Sequence, residues 1–292
     1  MVISLALEAT LRALADPMYG NKMLEINLGF VGAGQMAQAL ARGLVQAESI
    51  LGRQLSVYDP LPEAVEAFRQ HVPDARAAGD NRQVVADSDV FILAVKPQAM
   101  QAVFDELRGH VGPGSLVVSI AAGVSLERLC SGLDTQRVIR VMPNTPCLVG
   151  CGAAAYALAE GVSAADGELV GQLLSTVGTS ACVPEEWLDA ITGLSGSGPA
   201  FVFAMIEALS DGGVLMGLPR ELSTAFATQT VRGAAQMVTD TGEHPAILRD
   251  RVTSPGGTTI AGLQVLESRA VRAACIAAVQ AAADRSRVLS RQ

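Results

Sequence analysis

Apolar residues run in short unbroken blocks through the first half of the chain and fall at helical spacing through the second. Positions 24–31 (LEINLGFV), 54–59 (QLSVYD), 90–95 (VFILAV), 115–120 and 137–142 (RVIRVM) read as strands. Between them the spacing predicts helices at 36–45, 62–70, 81–86, 98–108 and 126–130. Strands that are apolar throughout, rather than alternating, belong in a parallel sheet covered on both faces. A further strand is expected at 153–157, a helix at 164–175 and a short strand near 180–183. Beyond about Pro184 only helical stretches follow: 187–192, 198–216, 220–239, 245–252, 258–267 and 270–289. The helix from Gly198 is apolar nearly all round over 201–206, which reads as a fully buried helix.

The pattern predicts an α/β domain over 24–184, an all-α domain over 185–292 and an N-terminal extension over 1–23. A short helix fits Leu5 to Asp16 in that extension, Met18 and Met23 are alternative starts, and no basic region marks a signal peptide. Lys plus Arg is 21 against 29 for Asp plus Glu, a net charge of −8. This acidic balance argues against nucleic acid and against a basic membrane-binding face. Hydrophobic residues are 50% of the chain and aromatics only 4%, a composition that excludes disorder and points to apolar surface buried between subunits. No stretch reads as a membrane span, the longest apolar run (199–206) being closed by Glu207 and Asp211. The five cysteines form no CxxC pair and no metal spacing, so they read as structural thiols in a reducing, cytoplasmic compartment, with Cys147 and Cys151 as small buried residues and no metal.

One glycine-rich segment carries cofactor chemistry. Gly32-Ala33-Gly34-Gln35-Met36-Ala37 follows a strand and opens a helix, the context that the dinucleotide fingerprint requires. Gly32 permits the tight turn, Gly34 lets the backbone approach a pyrophosphate, and Ala37 allows close helix–strand packing. The fold is therefore expected to be a Rossmann doubly wound sheet. Asp59 ends the second strand, 22 positions after Ala37, where a carboxylate accepts the ribose hydroxyls of NAD and repels a 2′-phosphate. This leans toward NADH.

Three more segments have the makeup of a site. Ala94-Val95-Lys96-Pro97 puts a cation on a stiffened turn at a strand's C-terminal end, where open α/β sheets bind ligands. Met142-Pro143-Asn144-Thr145-Pro146 is a loop fixed by two prolines past another strand end, suited to walling a nicotinamide pocket. Thr253 to Thr259 joins two glycines to hydroxyl residues at a helix N-terminus, a carboxylate site. His71, His110 and His244 read as structural.

Together these segments resemble the pyrroline-5-carboxylate reductase family. The matching motifs are GAGQMA at 32–37, AVKP at 94–97, MPNTP at 142–146, SGSGPAF at 195–201 and SPGGTT at 254–259. The resemblance covers roughly residues 26 to 290. It implies a Rossmann domain followed by a helical dimerisation domain, a homodimer through the C-terminal helices, and larger rings of dimers in some members. It implies that NAD(P)H reduces the C=N bond of L-1-pyrroline-5-carboxylate to L-proline. The substrate carboxylate would sit on Ser254, Gly256, Gly257 and Thr258, and Thr259 would hydrogen-bond the imine nitrogen. Asn81 would contact the adenosine ribose. Met142, Pro143 and Asn144 would border the nicotinamide, and Lys96 would act there electrostatically or by positioning. The family's NADPH habit goes with a small hydroxyl residue near the position of Asp59, so the acidic residue departs from it.

Two other readings stand beside this one: a reductase of a related cyclic imine carboxylate, and a nicotinamide-nucleotide sensor of the same fold without turnover. The 3-hydroxyacid dehydrogenases need a catalytic lysine in the helical region. Lysine occurs here only at Lys22 and Lys96, which argues against them.

Overall fold

The computed structural model describes residues 23–290. The expected extension helix (Leu5 to Asp16) and alternative start at Met18 lie outside the described residues. The chain divides into two compact units, one of the described residues up to Gly196 with those from Ala282 onward, the other Ser197–Ala281.

The first unit is built on an eight-stranded sheet. Its strands are β1 (Leu28–Val31), β2 (Leu55–Tyr58), β3 (Arg76–Ala77), β4 (Val90–Leu93), β5 (Leu116–Ser119), β6 (Val138–Met142), β7 (Gly152–Leu158) and β8 (Gly178–Cys182). They lie in the order β3-β2-β1-β4-β5-β6-β7-β8. The turn-back from β1 to β4 is the topological switch point of a Rossmann sheet. The helices are α1 (Gln35–Gln46), α2 (Pro62–His71), α3 (Asn81–Ala86), α4 (Met100–Leu107), α5 (Leu126–Leu133) and α6 (Ala164–Ser175), with the short α7 (Leu188–Ile191) after β8. Two buried clusters, one on each face of the sheet, make the core. Leu28, Phe30 and Leu44 belong to one, Phe91, Leu93 and Phe104 to the other.

All neighbouring strands are parallel except β6 and β7. The connection from β6 to β7 holds only a one-turn 3₁₀ segment, Thr145–Val149, which is too short for a parallel crossover. The all-parallel expectation is corrected there. Strand β3, two residues at the sheet edge, has no apolar run and was not expected from the sequence. Cys151 is exposed, not buried as expected, because it sits where the chain leaves that 3₁₀ segment.

The second unit is helical: α8 (Gly198–Leu215), α9 (Arg220–Thr241), α10 (Pro245–Arg251) and α11 (Thr258–Ser268). The last helix, α12 (Val271–Ser290), begins in this unit and ends in the first. Helix α8 is not the buried helix its composition suggests: Ser210 is its one buried residue, and Phe203 is 64% exposed. Periodicity detects an apolar surface but not whether the same chain covers it. The helical run Glu185–Leu215 is also long and apolar enough to cross a bilayer by length and composition, contrary to the sequence expectation. Glu207 and Asp211 do not offset an otherwise uncharged 18-residue stretch, residues 198–215, within that run.

Candidate active site

The end of β1 turns through Gly32–Gly34 into α1. Gly32 has φ +99°, and a Cβ there would meet the Ala94 carbonyl oxygen at 2.9 Å, so glycine is required. The Gly32 N–H donates to the Tyr58 carbonyl and the Ala94 N–H to the Val31 carbonyl, both at 2.8 Å, which laces the ends of β2, β1 and β4 together. Gly34 is the N-cap of α1, and no side chain caps that helix. A Cβ at Gly34 would meet nothing within 4 Å, so the space over the helix start is open. Ala37 is fully buried, Met36 half-buried and Gln35 exposed. An uncapped helix start beside a glycine turn presents backbone N–H groups and the positive end of the macrodipole, which suits a pyrophosphate. The residues present fit a dinucleotide cofactor.

Asp59 directly follows β2 and is half-buried. One carboxylate oxygen accepts the Ala33 N–H at 2.9 Å and the other accepts the Leu61 N–H at 3.0 Å. The carboxylate therefore buckles the glycine turn to the end of β2. Asn81 opens α3, after the neighbouring strand β3, and is 8% exposed. Its Nδ2 donates to Glu106 Oε2 at 2.6 Å and its backbone N–H to Glu106 Oε1 at 3.2 Å. No sequence signal pointed to Glu106, since a glutamate on a short amphipathic helix reads as a solvated face.

Ala94 and Val95 are half-buried beyond β4, and Lys96 is exposed just before the 3₁₀ turn Pro97–Ala99. Met142, the last residue of β6, is half-buried, and Pro143 after it is buried. Asn144 is 8% exposed: its Oδ1 accepts the Ala153 N–H at 2.9 Å, and its Nδ2 donates to the Ser195 carbonyl at 3.2 Å. Ser195 lies in a π-helical turn, Thr192–Gly196, and its Oγ donates to the Ala153 carbonyl at 3.3 Å. The Asn144 side chain is thus engaged within the chain as a staple of the loop. The buried Cys147 sits against Met36, Sγ to Sδ 3.4 Å, and burial pushes its thiol pKa up. On β6, the buried Arg140 pairs with Glu185 at 2.8 Å, and the same Glu185 oxygen accepts the Leu126 N–H at 2.8 Å. An arginine in the middle of an apolar strand was the one available signal for this pair.

In the helical unit, Ser254-Pro255-Gly256-Gly257 closes a turn by the Gly257 N–H donating to the Ser254 carbonyl at 3.1 Å. Pro255 supplies the fixed φ at the second position, and Gly256, with φ +66°, the left-handed third, which is a type II turn. A Cβ on Gly257 would meet Ser254 Oγ at 2.2 Å, so the serine hydroxyl packs directly on that glycine. Gly257 is the N-cap of α11, again with no capping side chain. Ser254 and Thr258 are exposed and Thr259 half-buried, which leaves hydroxyls and backbone N–H groups at one helix start. His71 and His110 are exposed, and His244 caps α10 by accepting the Ala246 N–H at 3.2 Å.

A switch-point sheet with a glycine-rich turn and an acidic residue after β2, followed by a helical unit with an uncapped, hydroxyl-rich helix start, has the makeup of a nicotinamide-dinucleotide oxidoreductase. Comparison with known proteins agrees with this and narrows it. Residues 185–289 match the family model described as pyrroline-5-carboxylate reductase dimerisation, and residues 27–123 one described as NADP oxidoreductase, coenzyme F420-dependent. The chain is 46% identical to the pyrroline-5-carboxylate reductase of Arabidopsis thaliana over 267 residues, covering 90% of this chain and 95% of that protein. It is similar to the solved structure of a pyrroline-5-carboxylate reductase from Coxiella burnetii (34% identity, TM-score 0.86) over 92% of this chain and 100% of that one. It is also similar to the NADP-bound enzyme of Plasmodium falciparum (32% identity, TM-score 0.83), again over 92% and 100%. The chain belongs to the pyrroline-5-carboxylate reductase family. It is an oligomerising NAD(P)H-dependent oxidoreductase that acts on a C=N bond of a small-molecule substrate.

Proposed function

We propose that the chain converts L-1-pyrroline-5-carboxylate to L-proline, the last step of proline synthesis, with NADH preferred over NADPH. The turn Ser254–Gly257 at the start of α11 carries this reading. It offers the backbone donors, hydroxyls and dipole that a substrate carboxylate needs, on a turn whose left-handed position, Gly256, favours glycine. Ser254, Gly256, Gly257 and Thr258 hold the carboxylate, and Thr259 gives the imine nitrogen a hydrogen bond. Gly32, Ala33, Gly34, Gln35, Met36 and Ala37 hold the pyrophosphate. Asp59 and Asn81 hold the ribose, and Ala94, Val95, Lys96, Pro97, Met142, Pro143 and Asn144 form the nicotinamide end.

Bound NAD(P)H supplies the hydride for the C=N carbon. A protonated imine is already electrophilic, so the chain's residues need mainly to orient the ligands and exclude water. Thr259 donates or accepts a hydrogen bond and is no strong acid. Lys96 contributes positive charge. The preference for NADH rests on Asp59, a carboxylate at the strand end where a 2′-phosphate would lie.

We assign 24–184 to the dinucleotide-binding domain and 185–292 to the substrate-binding and dimerisation domain. The partner is a second copy of the chain. Leu215, Met216 and Phe226 are 85%, 82% and 65% exposed, an apolar surface that monomers rarely present. A cytoplasmic location accords with five cysteines in no disulfide.

Thermal denaturation tests the substrate assignment. Proline added on top of NAD⁺ is expected to raise the melting temperature beyond NAD⁺ alone. A response to the nucleotide with none to proline would favour a sensor without an imine-carboxylate pocket.

A further inference from the structure

We propose that Glu106 is a positioning residue for cofactor binding, acting through Asn81. Its carboxylate fixes which way round the Asn81 amide is held. The proposal rests on the placement of Asn81 at the ribose.

Helix α3 begins at Asn81, and Glu106 lies in the last turn of α4. Each carboxylate oxygen takes one donor from Asn81, Oε2 the Nδ2 group at 2.6 Å and Oε1 the backbone N–H at 3.2 Å. A carboxylate accepts and never donates, so it selects Nδ2 over Oδ1 and determines the amide orientation. A charge-assisted bond of this length is stronger than a neutral one. The Glu106 carbonyl also accepts Arg82 Nε at 3.2 Å, and Asp80 caps α3 through the Gln83 N–H at 2.7 Å. The first turn of α3 is therefore clamped from two sides.

Oδ1 of Asn81 takes no partner among the described residues. No buried side-chain nitrogen or oxygen among them lacks a partner, so Oδ1 reaches the surface. The clamp thus presents an acceptor at the start of the helix that follows β3, the sheet neighbour of β2, which Asp59 follows. An acceptor complements a ribose hydroxyl, which donates. With Glu106 neutralised, the amide is free to flip and present donors instead.

The test is a double-mutant cycle on the full-length apo protein, with NADH titrated by calorimetry. N81A and E106Q are each expected to weaken NADH binding by about tenfold, the cost of one hydrogen bond to a charged or oriented partner. In the N81A background, E106Q is expected to add less than about twofold, because the two act through one contact. In E106Q, KM for NADH rises while KM for the imine stays put, a split that general loss of structure does not produce. If E106Q fails to fold, E106D keeps the charge but withdraws it from Asn81, and the same cycle applies. Weakening by N81A but not by E106Q overturns the positioning role alone. An equal effect of E106Q in both backgrounds also overturns it. Unchanged NADH affinity in N81A overturns the ribose placement and the proposal with it.

Discussion

The Ala33 N–H donates to Asp59 Oδ2 at 2.9 Å, which ties the glycine-rich turn to the end of the second strand. The residue proposed to read the ribose therefore also shapes the turn proposed to hold the pyrophosphate. Asp59→Ser removes the negative charge and shortens the side chain. It is expected to move the NADPH-to-NADH ratio of kcat/KM upward by about tenfold or more, since one unfavourable charge contact is worth at least that. Both affinities should fall somewhat, because the Ala33 N–H loses its partner. Identical ratios before and after would show that Asp59 does not discriminate the cofactors.

The turn proposed to hold the substrate carboxylate is expected to be separable by mutation from the residues proposed to hold the cofactor. Gly257→Ala places a methyl where Ser254 Oγ now lies, 2.2 Å from the new Cβ. KM for the imine is expected to rise by about tenfold or more, the loss of a charged hydrogen bond, with NADH affinity intact. Thr259→Ala is expected to lower turnover strongly and leave NADH binding unchanged. Calorimetry with NADH and steady-state kinetics with the imine check both, and unaltered turnover in Thr259→Ala would remove that residue from the reaction.

Asn144 is expected to act on stability as well as activity. Asn144→Ala removes the side-chain partner of the Ala153 N–H and of the Ser195 carbonyl in a part-buried setting. Each costs about 1–3 kcal/mol when buried and unsatisfied, and less where water reaches it, so urea denaturation should show a loss of about 1–3 kcal/mol in all. A loss under about 0.5 kcal/mol, the range of ordinary surface substitutions, would mean that water replaces the staple.

The Arg137–Asp166 pair predicts a pH dependence. Arg137 Nη2 lies 2.6 Å from Asp166 Oδ1 and Nε 3.0 Å from Oδ2. The Arg137 hydrogen bonds hold the Asp166 carboxyl below its ordinary value of 3.8, against the opposing effect of burial, and Ser163 adds two more bonds. A carboxyl depressed in the folded state contributes stability that is present above 3.8 and lost as pH falls through the lower folded value. The stability gap between wild type and Asp166→Asn, about 1–2 kcal/mol at neutral pH, should therefore close under acid conditions. A gap that stays constant down to the acid transition would contradict this.

The layout of the sheet was legible in the sequence because β1, β4 and β5 are buried on both faces and their residues are apolar without alternation. The direction of β7 was not carried by its residues at all, only by the brevity of the Thr145–Val149 connection. Strand β3 is two edge residues with no pattern to detect. Of the candidate site, the glycine turn and the Ser254–Gly257 turn showed themselves because left-handed backbone at Gly32 and Gly256 favours glycine, and Asp59 because it ends the strand after that turn. Glu106 and Arg140 did not, because a charged side chain's partner lies far along the chain, 25 positions away for Glu106 and 45 for Arg140. Helix α8 looked buried because apolar composition does not tell which chain, if any, covers a surface.

That surface gives a further expectation. Phe203 and Phe226 are 64% and 65% exposed in the single chain. Phe226→Glu puts a charge into an apolar interface, which costs several kcal/mol when desolvated. Light scattering is expected to show an oligomer for the wild type and a smaller species for the variant. An unchanged mass would place the interface elsewhere.

The most direct test of the account is loss of nicotinamide absorbance when the purified protein meets L-1-pyrroline-5-carboxylate, with NADH and NADPH in parallel. The account predicts turnover with proline as product and a higher kcat/KM with NADH. Protein that is folded and binds the nucleotide, yet turns over with neither cofactor, would contradict it.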